Sequence, residues 1–330
     1  MSEYTGVCLF SPRDTIDTML VEFGFLFSKV LAPILLLVAL GALLQKRHPV
    51  EMQTLSNLQL YLFIPAFLFV HIADSKLTMG QIAGIAGTIL LIQALLAIPL
   101  YGFLRWRNVP RETLAVVLLA SVIFNAGNFG IPVALRAFGK PGGEIQALVI
   151  MTANLSLWVL GYGLSAAITG GGWKQGVVEI LRLPILYIMA AGLTVRATGW
   201  HLPEPMDYAL HLVSDGLVPL ALVTLGVQLA TQWRLPRWRL ILPVAFFKLL
   251  ALPAIAALVV WELGLWPWPG AQLIVASAGP TAVNSIFLAI EQKGDVELAA
   301  ECVFWNTLLS AITVTIILAV VIRLGGIPPI

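Results

Sequence analysis

The sequence predicts an all-α membrane protein, ten transmembrane helices arranged as a 5+5 inverted repeat, and three observations predict it. The 330 residues are 59% hydrophobic and only 11% charged, with a mean hydropathy of +0.93. That leaves too few polar side chains to cover a soluble domain of this size. A spanning helix takes about 20 mostly apolar residues, and the chain offers ten such stretches. Finally, the two halves of the chain resemble each other.

Residues 1–22 mix charge with a few apolar residues and lack the basic, apolar, then small-residue pattern of a cleaved signal. They read as an N-terminal segment along the membrane surface, with the first span acting as the insertion signal. Spans are expected at 23–45, 50–73, 80–104, 112–138, 145–168, 177–197, 206–229, 238–261, 269–291 and 297–323. Their links are short and turn-rich, as in "KPGGE" (140–144) and "TGGGWKQG" (169–176). One membrane domain is expected, with a first five-helix repeat at 23–168 and a second at 177–323. Loops after the odd-numbered spans hold 11 Lys and Arg against 7 on the other side. By the positive-inside bias this puts both termini outside the cytoplasm, in a multi-pass protein of the plasma or inner membrane.

The duplication rests on ordered landmarks. "PILLLVALG" at Pro33–Gly41 shares five of nine residues with "PILYIMAAG" at Pro184–Gly192, an offset of 151. Pro65 and Pro219, Pro99 and Pro253, Asn128 and Asn284, and Asn154 and Asn306 follow at offsets of 154, 154, 156 and 152. Because each copy has an odd number of spans, the second must enter the membrane from the opposite side. Inverted repeats of this kind are common among secondary transporters.

Two corresponding spans, the fourth and ninth, are interrupted at mid-depth by "FNAGNFGIP" (Phe124–Pro132) and "SAGPTAVNS" (Ser277–Ser285). Inside a helix Gly costs about 1 kcal/mol and Pro about 3 relative to Ala, and hydrocarbon cannot satisfy an Asn amide. Non-helical backbone survives at that depth when it is buried in protein or lines a wet cavity. Two such segments can satisfy one another by crossing, leaving half-helix N-termini with free N–H groups that favour an anion. The candidate substrate-binding residues are Asn125, Gly127, Asn128 and Pro132 from the first segment, with Pro280, Thr281, Asn284 and Ser285 from the second.

Ionisable side chains within a bilayer are functional candidates. Lys248, in "VAFFKLLALP", lies about 15 Å from either end of its span at 1.5 Å per residue. Asp215, in "LVSDGLVP", is similarly deep and is the candidate partner. An ion pair, a role in coupling, and direct contact of Lys248 with an anion are all open. Arg136 is a further cation that could serve a dicarboxylate. Glu291 and Glu301 flank the link between the last two spans and read as solvated. Asn154 and Asn306 read as helix-to-helix hydrogen bonders or site residues. Cys8 and Cys302 lack metal-ligand spacing and read as free thiols.

The segments "NAGNFGIPVALRAFG" and "SAGPTAVNSIFLAIEQKGD" resemble the auxin efflux carrier family, which includes plant auxin carriers and bacterial permeases described as malonate or malate transporters. The likeness extends over all ten spans. It implies crossed discontinuous helices in a transport domain of spans 3–5 and 8–10, moving as an elevator against a scaffold of spans 1, 2, 6 and 7. It also implies that Asn128 with Pro132, and Pro280 with Asn284, contact a carboxylate. A homodimer through the scaffold helices is a candidate assembly. The long loop that many plant members carry after span 5 is missing, which favours a bacterial type.

The expected function is therefore secondary transport of a small organic anion, such as an auxin-like acid, malonate or malate. The alternative is a transporter-like membrane sensor that binds a carboxylate without moving it. No Walker phosphate cradle, HExxH metal motif or GxSxG nucleophile motif occurs, which argues against a pump or an enzyme. A net charge of +2 gives no reason to expect nucleic acid as a partner. No cofactor is expected, and Na+ or H+ as a coupling ion is open, since the broken segments contain no Asp or Glu.

Overall fold

The computed structural model describes residues 23–169, 178, 181, 184–232, 234–291 and 293–325. The expected surface segment 1–22, Lys174 and Arg182 lie outside the described residues. Within them every regular element is a helix. In chain order these are α1 (Phe23–Arg47), α2 (Met52–Ala73), α3 (Met79–Trp106), α4 (Arg111–Val122), α5 (Gly130–Thr169), α6 (Pro184–Thr198), α7 (Glu204–Thr231), α8 (Trp238–Glu262), α9 (Gly270–Ser277), α10 (Asn284–Glu291) and α11 (Val296–Gly325). Seven of these, α1, α2, α3, α5, α7, α8 and α11, are long and apolar enough to cross a membrane. Large apolar side chains such as Leu36, Ile98, Leu258 and Trp261 stand exposed on their outer faces, as lipid contact requires.

The expected fourth and ninth spans are not continuous rods. Helix stops at Val122 and resumes at Gly130, and it stops again at Ser277 and resumes at Asn284. The boundary between the fourth and fifth expected spans also differs from the sequence reading. Helical structure runs through "KPGGE" without a loop, and the chain turns at a single residue, Gly139, with φ 63° and ψ −153°. That backbone is strained for any residue with a Cβ, so glycine is what allows so short a reversal.

Proline shapes three other helices. Residues 27–31, 59–63 and 247–251 form single wide π-turns inside α1, α2 and α8. Each lies immediately ahead of a proline at position 33, 65 or 253. A proline lacks its own N–H and crowds the carbonyl four residues back, and one extra residue in the turn relieves both problems.

The helices sort into two groups by their main contacts. In one, α1 packs on α7, α2 on α6, and α7 on α2. In the other, α3, α4, α5, α8, α9, α10 and α11 pack mutually. The α1–α7 crossing is unusually close. A Cβ on Gly41 would sit 2.2 Å from the Val223 carbonyl oxygen, and one on Gly226 would sit 2.0 Å from that of Val38. Backbones approach this closely only where small residues meet, as is common in membranes. The main contacts between the groups run through α5 and α11 against α1, α2 and α7.

Candidate functional site

The two interrupted stretches, 123–129 and 278–283, meet face to face. Phe124 and Thr281 form an isolated antiparallel bridge. The Asn125 amide donates to the Pro280 carbonyl at 2.7 Å, and the Ala282 amide donates to the Ile123 carbonyl at 3.1 Å. Each segment thus satisfies part of what the other loses by leaving the helix, as buried backbone requires.

The crossing is held by side chains from neighbouring helices. Thr281, fully buried, donates its hydroxyl to the Ala120 carbonyl at 2.7 Å and accepts from the Asn306 amide at 2.8 Å. On the first segment, Gln146 donates to the Ala126 carbonyl at 2.6 Å and accepts from Gln272 at 2.7 Å. Gly130 is required for that approach, because a Cβ there would lie 2.3 Å from Gln146 Nε2. Neither glutamine stood out in the sequence, since a lone Gln in a helix carries no positional signal. Only the pair across 126 residues has meaning.

A cavity of about 440 Å³ opens on one face of the crossing. Its walls come from α2, α5, α6, α7 and α10, so it lies between the two helix groups. It runs from the crossing to Met52 and Gln53 in the first turn of α2. Of the expected site residues, Asn125, Gly127, Asn128 and Asn284 line it. Pro132, Pro280, Thr281 and Ser285 are buried behind it and shape the crossing instead. Among the described residues the lining carries no charged side chain. It does carry polar atoms without partners: Asn125 Nδ2, Gln59 Nε2 and Gln228 Oε1. The backbone N–H groups of Gly127, Asn128, Val283 and Asn284 likewise find no backbone acceptor among the described residues. These lie at the N-terminal ends of α5 and α10, where the helix dipole is positive. Such a surface offers hydrogen-bond donors to an anionic oxygen.

Away from the cavity, polar contacts also cross between the two helix groups. Lys140 on α5 pairs with Asp74, just past α2, at 3.3 Å, and His211 on α7 lies 4.0 Å from the same carboxylate. Arg136 donates to the Lys29 carbonyl on α1 at 2.8 Å. Arg136 is therefore engaged with backbone away from the cavity, and its expected service to a dicarboxylate is not seen.

The expected Lys248–Asp215 pair does not form. Lys248 is completely buried and donates to the Ser277 carbonyl at 3.1 Å, with its ammonium 4.9 Å from the centroid of the Phe124 ring. Asp215 is exposed on α7. Equal depth along two helices says nothing of the direction in which each side chain points. Direct contact of Lys248 with a ligand in this cavity is also not seen, because Lys248 does not line it.

A second correction concerns Glu301, which is buried rather than solvated. It accepts from the backbone and side chain of Arg237, at 3.0 and 2.7 Å, while Asp295 takes the guanidinium's other edge at 3.0 and 3.1 Å. Hydrogen bonding to Asp295 raises the Arg237 pKa further. Burial opposes ionisation of Asp295, yet the bonds from Arg237 and the Leu298 amide outweigh it and hold its pKa below the usual carboxylate value.

Comparison with known proteins agrees with this geometry. Residues 173–318 match the profile of a family described as "Membrane transport protein". An uncharacterized transporter of Methanothermobacter thermautotrophicus is 24% identical over 285 residues, covering 85% of this chain and 93% of its own. An uncharacterized transporter of Methanocaldococcus jannaschii is 21% identical over 302 residues, covering 86% of this chain and 95% of its own. Residues 173–318, under half of the chain, are similar to this family. The match agrees with the resemblance of the two broken segments to the auxin efflux carrier family. The profile takes in the second segment with α8 to α10, while the two relatives match along most of the chain. Similarity to a family of membrane transport proteins, and to proteins described as transporters, points to transport rather than catalysis.

Proposed function

We propose that the protein is a secondary carrier of a small organic anion, holding a carboxylate against the crossing and exposing it alternately to each side of the membrane. The observation that carries this reading is the uncharged, amide-lined cavity ending at two half-helix N-termini, with Asn125, Asn128 and Asn284 at its wall. Its volume is within the usual range for small-molecule sites, about 300–1,000 Å³.

The ten-span 5+5 inverted repeat belongs to this proposal. The short α6 serves as the sixth span, and α4 with the first turns of α5, and α9 with α10, serve as the fourth and ninth. The group α1, α2, α6 and α7 acts as the scaffold, and the remainder as an elevator that carries the crossing. Two features support it: the main packing contacts sort along that division, and the cavity lies at the boundary. With both termini outside the cytoplasm, the first turn of α2 is cytoplasmic, and the cavity opens inward.

A single carboxylate on an apolar or hydrogen-bonding body suits this lining better than malonate or malate. A dicarboxylate would leave its second charge without a cation in the cavity. A homodimer through the scaffold helices, and the absence of a cofactor, remain parts of the same proposal. The test is thermal stabilisation of purified protein by a panel of phenylacetate, indole-3-acetate, malonate and malate, repeated with sodium and at several pH values, then uptake of the best ligand by proteoliposomes. Stabilisation by a monocarboxylate with saturable uptake and counterflow is expected. Binding without flux would identify a sensor, and no stabilisation by any carboxylate would overturn the reading.

A further inference from the structure

The cavity is lined without a formal charge, yet one cation lies directly behind its wall. Lys248 sits in the π-turn of α8, with none of its surface exposed. Among the described residues it has no carboxylate partner, and its polar contacts are the Ser277 carbonyl, at the C-terminal end of α9, and the face of the Phe124 ring. Both partners favour a positive charge, the first through the negative end of a helix dipole and the second through the ring quadrupole. Phe124 has a second role, since it also lines the cavity. One aromatic ring therefore belongs both to the surroundings of the ammonium and to the ligand wall.

We propose that Lys248 is the charge-selecting residue of this carrier, a buried amine whose cationic form and an anion in the cavity stabilise one another across the Phe124 wall without touching. The inference rests on the carboxylate reading of the site given above. It also accounts for an arrangement left unexplained by that reading. A completely buried ammonium without a carboxylate is costly, and an anion arriving in the adjacent cavity would offset that cost. The amides and half-helix N-termini already favour an anionic oxygen, and a positive charge behind the wall widens the preference for a carboxylate over the corresponding primary amide. In a medium of low effective dielectric a nearby charge acts over longer distances than in water, so contact is not needed for selection.

The position also separates charge from packing. Glutamine at 248 retains a donor for the Ser277 carbonyl but drops the charge, whereas arginine retains the charge with altered shape. The experiment measures affinity by thermal stabilisation of the purified full chain, using phenylacetate and indole-3-acetate against phenylacetamide and indole-3-acetamide. In the unsubstituted protein each acid should bind at least about tenfold more tightly than its amide. In Lys248→Gln and Lys248→Met that preference should fall to about twofold or less, through weaker acid binding with amide binding unchanged. Lys248→Arg should retain most of it. A structural role alone would instead weaken acid and amide together, or lower the melting temperature without altering their ratio. That result, or full acid preference in Lys248→Gln, would overturn the inference while leaving the carboxylate site standing. If neither neutral variant folds, Lys248→Arg decides: acid preference lost in a folded arginine variant also overturns it. No binding of either acid by the unsubstituted protein would instead remove the carboxylate reading, and this inference with it.

Discussion

The two unwound segments occupy corresponding places in the two halves of the chain, yet they are held differently. Residues 123–129 present Asn125, Gly127 and Asn128 to the cavity, and Asn125 Nδ2 has no partner. Residues 278–283 are pinned from behind, with Thr281 between Ala120 and Asn306 and the Ser277 carbonyl capped by Lys248. The first segment leaves a side-chain amide donor unused, whereas the Thr281 side chain of the second is fully engaged in holding the crossing. Two segments at corresponding positions in the sequence thus differ in the side-chain support that each receives. A rigid second strand allows the first to keep unsatisfied amides at a place where most proteins would pair them.

Disrupting the support should give the largest effect on stability. In Thr281→Val combined with Asn306→Leu, the Ala120 carbonyl loses its side-chain donor and the link from α11 to the crossing disappears. Loss of buried hydrogen bonds of this kind costs about 1–3 kcal/mol each. A clear fall in melting temperature of the purified protein is expected, with ligand binding lost as a consequence. A double variant as stable as the parent would mean that the second segment is not a support.

Gln146→Leu tests the intermediate case. It removes the donor to the Ala126 carbonyl and leaves Gln272 Nε2 without its acceptor. Its expected cost is about 1–3 kcal/mol, accompanied by weaker ligand binding, because Ala126 lies between the two cavity-facing asparagines. Gln146→Glu retains an acceptor for Gln272 but cannot donate to the carbonyl when ionised, so it should remain defective.

The opposite signature is expected on the cavity side. Asn125→Ala and Asn128→Ala, and Asn284→Ala at the start of α10, should each weaken carboxylate binding and uptake by about tenfold, or about 1.4 kcal/mol. Each should leave the amount of protein in the membrane unchanged. Asn125→Ala should not lower the melting temperature at all, since its Nδ2 has no partner to lose. Normal uptake kinetics in Asn128→Ala and Asn284→Ala would remove the site from this cavity.

What the sequence made legible was the existence of this contrast, not its division of labour. Gly, Pro and Asn inside two apolar stretches mark a local cost that packing alone does not explain, so both breaks could be read directly. Of the supports, Asn306 could be read as a hydrogen bonder between helices or a site residue, and it does bond across to Thr281. Gln146 and Gln272 could not be read, because their meaning depends on partners 20 and 126 residues away. Lys248 was visible as an anomaly, but pairing it with Asp215 assumed that shared depth implies a shared direction. The wide turn ahead of Pro253 helps set the phase of the α8 face that carries Lys248, and no hydrophobic periodicity reveals such a shift. Glu301 misled for a related reason. Its position beside a link suggested water, whereas Arg237, 64 residues earlier, covers it.

The Arg237 cluster gives the smallest effect, and its sign can be worked out. It ties the start of α8 to the start of α11, on the supporting side of the comparison. The folded-state pKa of Asp295 is depressed, so its contribution to stability is fully present above the unfolded value of 3.8 and is lost as pH falls through the lower folded value. Arg237 is shifted upward from the ordinary guanidinium value, so its own contribution disappears only in strong base. Between pH 5 and pH 9 neither group changes charge. The melting-temperature difference between the parent and Asp295→Asn should therefore be small and flat across that interval, and should shrink only below pH 4. Partial exposure of Arg237 and Asp295 keeps the difference modest, because water screens the pair. A steep change near neutral pH would show that the Arg237 cluster does not set the response.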